Sequence, residues 1–409
     1  MPDCHSFKAL GLICLILVVA CDGPGRSGST VTHIDPSDET GTSLATYVRD
    51  VPLAFTNQFY PVDTEGHLAG EDVVSQLDQV LLNMESALTA AGTGTEALVR
   101  VHVYLAGDNL TEPVLQHLAR ALPEESRPAI TLVSGRPTRP DVLVSMDAIA
   151  LAPEVSATGR HSLRYRAESL YGRQNRSHVA VLPPGRKIFI AGQAEMAGDL
   201  PGAVRETMRG LLATLAYSGA GTGDVVHIKA FINPAEEAEE IEEVIAGFFR
   251  HSNAPPIVTL EWKHERFPAE IELVASAPAD PHAREAVSYY APVWMTQMTT
   301  FSRLVDVHKG GLLFTSGLYG EEGQDGEAQA RTIFAALSDI LDEAGSGYDH
   351  LVKGTYYPST GSARQGLMDV RTDFYNPDRP PAASLAEIEG TGRPGRTLNV
   401  DMISVIPDN

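Results

Sequence analysis

The sequence predicts an α+β chain built from three tandem copies of one small domain, and three observations carry that reading. A helical pattern closing on glycine occurs three times, at Ala91-Gly92, Gly219 and Ala344-Gly345. An apolar strand follows each, with Val99, Val226 and Val352 at matching positions about 126 residues apart. Later in each copy comes a proline-led strand: Pro128-Ala129-Ile130-Thr131, Pro256-Ile257-Val258-Thr259 and Pro381-Ala382-Ala383-Ser384. Such a period is too long for a solenoid repeat and suits a compact domain. Three copies in one chain predict an intramolecular pseudo-trimer that imitates, as a monomer, an assembly of three separate subunits.

Along the chain, residues 1–20 read as a secretory signal: Lys8, then an apolar run from Ala9 to Ala20. A dozen apolar residues are too few to span a bilayer, which needs roughly twenty. The ending Leu17-Val18-Val19-Ala20-Cys21 resembles a bacterial lipobox, which implies cleavage before Cys21 and lipidation of its thiol. The expected location is therefore the bacterial cell envelope, with the membrane reached through Cys21. Residues 21–42, rich in Gly, Ser, Thr and Asp, read as a flexible tether. Domains are then expected over residues 43–152, 160–278 and 286–409, with Pro-rich joints at Ala152 to Ser156 and Ala277 to Pro281.

The first helix of each copy has a single apolar stripe at helical spacing. The stripes are Val73, Leu77, Val80, Met84 and Leu88; Val204, Met208, Leu211 and Leu215; and Ala330, Ile333, Leu337 and Ile340. One stripe per helix is what a helix lying on a sheet requires. Strands are expected over Val99 to Leu105, Lys187 to Ala191, Ile271 to Ala275 and Gly311 to Thr315. Each copy is then one sheet with two helices on one face.

Composition narrows the function. The formal net charge is −22, and no basic run interrupts it. Nucleic-acid affinity comes largely from clustered Lys and Arg, so a nucleic-acid partner is disfavoured. Cys4 and Cys14 lie in the signal, leaving Cys21 as the last of three cysteines, so disulfides and a thiol nucleophile are not expected. The thirteen histidines form no zinc motif, and no cofactor or metal is implied.

Order and spacing then bring a family into view. The third copy runs Phe301-Ser302-Arg303, Gly311-Leu312-Leu313-Phe314-Thr315-Ser316-Gly317, Glu343-Ala344-Gly345, Leu351-Val352-Lys353, Phe374-Tyr375 and Arg379-Pro380-Pro381-Ala382. The second keeps Ser177, Phe189, Ala191-Gly192-Gln193, Val226 and Glu270-Ile271-Glu272. The first departs most, with Thr56-Asn57-Gln58 in place of Ser-Gly-Gln. From about residue 43 to 408 the chain resembles the RidA (YjgF, endoribonuclease L-PSP) family. The resemblance implies chorismate-mutase-like βαβαββ domains, clefts between neighbours, and hydrolysis of reactive enamines or imines derived from amino acids.

Family chemistry implies an arginine that holds the substrate carboxylate and a carboxylate that orients water or moves its proton. The arginine position reads Ile130, Val258 and Ala383; the carboxylate position reads Ser145, Glu270 and Asn399. Glu270 is thus the one candidate catalytic residue, with Lys263, His264 and Arg266 its nearest cations in sequence. It could equally be a sheet-edge residue. Ser177, Gly192, Gln193, Ser302, Ser316 and Gly317 are candidate cleft-lining residues, although the glycines could simply relieve strand packing. Arg364, opening a helix, is a candidate for an anionic ligand or an ordinary exposed arginine. Trp262 reads as pocket wall or core. Three functions compete: a binding protein for a small metabolite in an interdomain cleft, a divergent hydrolase using Glu270 and water, and a non-catalytic scaffold.

Overall fold

A computed structural model describes residues 29–153, 162–250 and 252–407. The first copy comprises β1 (Val31–Ser37), β2 (Thr42–Val48), β3 (Leu53–Thr56), α1 (Val73–Ala90), β4 (Leu98–Leu105), α2 (Thr111–Ala121), β5 (Ala129–Ser134) and β6 (Val144–Leu151). The second repeats this as β7 (Leu163–Tyr165), β8 (Val179–Leu182), β9 (Lys187–Gln193), α3 (Leu200–Tyr217), β10 (Val225–Ile232), α4 (Ala238–Ala246), β11 (Ile257–Glu261) and β12 (Ala269–Ser276). The third adds one short strand: β13 (Val287–Tyr290), β14 (Leu304–Val307), β15 (Gly311–Thr315), β16 (Leu318–Tyr319), α5 (Gly326–Ala344), β17 (Leu351–Pro358), α6 (Gly361–Phe374), β18 (Ala382–Leu385) and β19 (Leu398–Ile406).

The long helices begin and end for local reasons that the sequence repeats. Asp72, Asp199 and Asp325 each cap the first turn by accepting backbone N–H bonds. Past the other end, Gly92, Gly219 and Gly345 take φ of 81°, 85° and 69°, a left-handed conformation that glycine adopts without a Cβ penalty. All thirteen residues of the three apolar stripes are buried, and each helix shares a core with the sheet of its own copy.

Within each copy the sheet is mixed. The two strands joined by the second helix run parallel (β4 with β5, β10 with β11, β17 with β18), and the last strand lies antiparallel beside the first of them. Between copies the strands are exchanged in a ring. β3 of the first copy pairs with β8 of the second, β9 of the second with β14 of the third, and β15 of the third returns to β2 of the first. Val99, Val226 and Val352, the matched valines of the sequence, meet in one central core with residues of all three copies. The tandem repeat therefore closes on itself as a pseudo-trimer, sheets inward and helices outward.

One boundary differs from expectation. Residues 31–37, assigned to a flexible tether over 21–42, form β1 and pair along β2 from Val31↔Val48 to Ser37↔Thr42. β1 is the counterpart of β7 and β13, so paired structure begins at residue 31, inside the span expected to be a tether. Its Thr and Ser content disguised it, because a hairpin arm paired on one edge needs few apolar side chains. The signal segment and Cys21 lie outside the described residues.

Beside that apolar core the inward faces also carry charge. Asp147, Glu272 and Asp401 stand opposite His102, Lys229 and Thr355 in the three sheets. All three carboxylates are buried. Arg100 pairs with Asp401 at 2.5 Å, Lys353 with Glu272 at 2.7 Å, and His102 bridges Asp147 at 3.1 Å and Asp401 at 3.3 Å. Several of these bonds cross copies. Against the cost of burial, Arg100 and His102 hold Asp401 far below the usual carboxylate range; His102 and Lys229 do so for Asp147. Burial pushes the neighbouring His227 down to about 4.

Candidate functional site

Three clefts arise where one copy's pair of neighbouring strands meets the fifth strand of the next copy. Register makes their positions comparable. Ser145, Glu270 and Asn399 oppose Tyr104, Phe231 and Tyr357, so they occupy one equivalent place. Ile130, Ile257 and Ala383 oppose Val101, Ile228 and Gly354, three residues before those aromatics. The arginine position of the second copy is therefore Ile257, not Val258. Val258 points to the opposite face and packs in an inner cluster with Tyr104, Phe231 and Tyr357. The double proline Pro255-Pro256 shifted the alignment by one. All three positions remain apolar.

What fills each cleft follows an exchange of bulk between two neighbouring positions. A Cβ on Gly192 would strike the Glu270 carboxylate, and one on Gly317 would strike the Asn399 amide. Each glycine thus makes room for the side chain at the carboxylate position. In the first copy the sizes are reversed: Gln58 takes the glycine's place and the small Ser145 faces it, accepting from Gln58 Nε2 at 2.8 Å. Gln58 Oε1 accepts the Thr259 N–H at 3.0 Å, so its carboxamide narrows that cleft to a cavity of about 80 Å³ lined by Gln58, Ser177 and Ile257. The carboxamide meets the fifth strand of the next copy where Glu270 Oε1 accepts the Leu385 N–H at 3.2 Å. In the third cleft Asn399 Nδ2 donates to Leu132 O at 2.6 Å. Only the cleft between the second and third copies holds an ionisable group there.

Glu270 is unusual in that cleft. Burial, then the adjacent Glu272 carboxylate, push it up to about 7, against the opposing pull of Lys353 and the Leu385 N–H. Glu272 itself stays below the usual range, because Lys353 and Lys229 outweigh its burial. Besides Lys353, the Arg303 guanidinium lies within charge-interaction range, acting on Glu195 first and on Glu270 second. The Arg303 backbone carbonyl accepts the Ala191 N–H at 3.1 Å, fixing it against β9, and its guanidinium lies 4.8 Å from the centre of the Phe301 ring. Arg303 Nε is buried without a hydrogen-bond partner. Arg303 thus sits just before β14 on the Glu270 side, while β18 offers only Ala383 at the arginine position. Sequence reasoning passed over Arg303 because it lies in a motif whose variable position carries no family role.

The other candidates divide. Ser177 and Ser302 are equivalent, and Ser43 of the first copy joins them: each donates its N–H to the segment leading into its own fifth strand, and each hydroxyl is buried without a partner. Gln193 is buried, donating from Nε2 to Thr214 Oγ1 at 3.0 Å, with Oε1 unpartnered. Ser316 and Gly317 spend their N–H groups on Leu44 O and Ile130 O, so they line the third–first cleft through packing rather than free backbone donors. Arg364 is instead ion-paired with Glu387 at 2.7 Å on an exposed rim. The sequence neighbours of Glu270 also turn elsewhere: Lys263 faces Glu389 at 3.8 Å, His264 stacks on Trp262 at 4.5 Å, and Arg266 lies over Phe267. Strand alternation points residues seven or fewer positions away across a turn, not into the same cleft. Trp262 is core, 3% exposed, its Nε1 donating to Leu385 O. Among the described residues, no group of three or more His, Cys, Asp or Glu is placed to hold a metal ion.

Comparison with known proteins agrees with this threefold reading. The endoribonuclease L-PSP family model matches residues 43–152, 173–277 and 295–406, more than half of the chain. Solved structures that resemble single copies include a YjgF-family protein from Neisseria meningitidis (20% identity, 30% of this chain and 97% of that one, TM-score 0.23). Others are a YjgF/YER057c/UK114-family protein from Mycobacterium tuberculosis (19%, 29% and 98%, TM-score 0.22) and a Rid-family protein from Yersinia pestis (21%, 30% and 99%, TM-score 0.24). No curated protein matches the chain.

Proposed function

Since the chain belongs to the endoribonuclease L-PSP (RidA/YjgF) family in three tandem copies, we propose that it hydrolyses a small anionic imine or enamine in the cleft between its second and third copies. The observation that carries this reading is Glu270, a buried carboxyl poised at about 7, with the Arg303 guanidinium within range of its charge. A general acid–base group works best with a pKa near the operating pH. In the ionised form Glu270 takes a proton as water adds to the C=N carbon. The protonated form returns it to nitrogen, giving a carbinolamine; Glu270 then moves the hydroxyl proton to nitrogen as the C–N bond breaks, so that ammonia leaves and a carbonyl compound remains. Arg303 holds the substrate's carboxylate as the absent strand arginine would, by paired N–H bonds. The first–second cleft, narrowed by Gln58 and with Ser145 in place of the carboxylate, has no proton-transfer group at that position.

The substrate-holding role is separable from the chemistry. Arg303→Ala is expected to raise KM for an imine generated in situ about tenfold or more while changing kcat less, since it removes a charge-assisted pair worth roughly 1.5–3 kcal/mol. Ammonia release followed against substrate concentration checks this; an unchanged KM would remove Arg303 from the site.

We also propose that the chain is a lipoprotein anchored through Cys21 and works as a single chain. The lipobox resemblance supports the first, and closure of the strand ring within one polypeptide supports the second. Cys21→Ser is expected to lose lipid labelling, leave the membrane fraction and run as a monomer by light scattering. A variant that is still processed and membrane-bound would defeat the lipoprotein reading, and a stable trimer of whole chains would defeat the monomer.

A further inference from the structure

The cleft between the third and first copies differs in kind from the one that holds Glu270. It opens a cavity of about 400 Å³. Its place for a carboxylate holds Asn399, whose Oδ1 is buried and unpartnered, so no general base stands there. Two arginines enter instead, Arg393 and Arg396, from the segment between β18 and β19. Neither is ion-paired among the described residues, although the chain has 53 acidic against 31 basic side chains. Arg396 Nη1 is buried with no hydrogen-bond partner, and Arg393 lies 5.7 Å from the centre of the Tyr319 ring. Asp35 also lines the cavity and makes no ion pair with either.

The arginine segment is held in place rather than left to find its position. Buried Thr391 bonds through its hydroxyl to the carbonyls of Arg393 at 3.3 Å and Arg396 at 3.0 Å. The Gly392 N–H donates to Asp108 Oδ1 at 3.0 Å, and Thr111 donates to Gly392 O at 2.6 Å. The Thr397 N–H donates to Gln329 Oε1 at 2.9 Å. A segment of the third copy is thereby clamped onto the first, and both guanidinium groups are preorganised at the mouth of a cavity shared by the two. Hydroxyls of Ser37, Thr40, Thr42, Ser316 and the buried, unpartnered Ser43 line one part of the wall, and Leu44, Leu115, Ile130 and Leu132 line the other. Two cations left without an ion pair in so acidic a chain favour the approach of anions to this cavity.

We propose that the third–first cleft is a second ligand site, selective for a small dianion bearing hydroxyl groups, such as a phosphate monoester or a hydroxylated dicarboxylate, bound by Arg393 and Arg396 without being turned over. Two guanidinium forks match two negative charges, and the hydroxyl lining matches the ligand's own hydroxyls. The site is independent of the hydrolytic reading, because it shares neither Glu270 nor Arg303.

Titration calorimetry of the purified full chain with glycerol phosphate, malate and uncharged glycerol tests it. Saturable binding of glycerol phosphate or malate, with glycerol at least tenfold weaker, is expected. Arg393→Ala and Arg396→Ala should each weaken it about ten- to hundredfold, and the double variant should abolish it. Glu270→Gln should leave it unchanged. Circular dichroism of each variant verifies folding, and Arg396→Lys, which keeps the charge but loses the fork, should retain partial binding. Tighter binding of one dianion over the other identifies the ligand class. Absence of binding by both dianions, or binding that survives the double variant, overturns the proposal.

Discussion

Asp401→Asn is expected to lower the unfolding free energy by about 3–5 kcal/mol, since removing one partner of a buried ion pair leaves the other charge uncompensated. Asp401 is 2% exposed and is the counter-ion of Arg100, itself 3% exposed, with His102 on its other oxygen. The asparagine keeps the volume and loses the charge. Arg100→Met added to Asp401→Asn should recover part of the loss, because an apolar side chain of similar size carries no unpaired charge. Urea unfolding at pH 7 measures both; a loss below about 1 kcal/mol in the single variant would mean that water reaches the axis.

Glu270→Gln carries the other large effect, and it points two ways. Imine hydrolysis should fall by roughly 10²–10⁴, the usual contribution of a positioned proton-transfer group. Stability at pH 8 should rise by about 2 kcal/mol, because an ionised carboxyl in a place that favours its neutral form is a standing cost. The glutamine still accepts the Leu385 N–H, so the geometry is kept. A loss of activity accompanied by a loss of stability would instead mark Glu270 as structural.

The pH dependence separates Glu270 from the buried histidines. Its folded pKa, about 7, lies above the ordinary 4.5, so its cost is present above pH 7 and relieved as pH falls through 7. His227 and His178, pushed down to about 4 by burial, act in the opposite sense. The unfolded chain takes up their protons near pH 6.5 while the folded chain does not, so their contribution is complete above 6.5 and lost as pH falls towards 4. Between pH 7 and 4.5 the Glu270→Gln protein should therefore lose stability with falling pH more steeply than the wild type, by up to about 1.4 kcal/mol per pH unit.

Much of the fold was written in local sequence. Asp72, Asp199 and Asp325 start the long helices, Gly92, Gly219 and Gly345 end them, and the apolar stripes between fix which face each helix buries. These signals act over a few residues, so repetition alone exposes them, and the triplicated order leads to the family. The retained Glu270 was legible for the same reason. What the sequence could not determine depends on which strand lies beside which. β1 was hidden because its partner, β2, supplies the pairing that its composition does not announce. The shift from Val258 to Ile257 was decided by register across β10 and β11. Arg303, Arg393 and Arg396 became site residues only through the exchange of strands between copies and the clamping of one copy's loop on another. The neighbour Glu272, two residues along the same strand, was legible in the sequence. The burial that does most to raise Glu270 comes only from closing three sheets into a ring, since desolvation depends on distance in space and not along the chain.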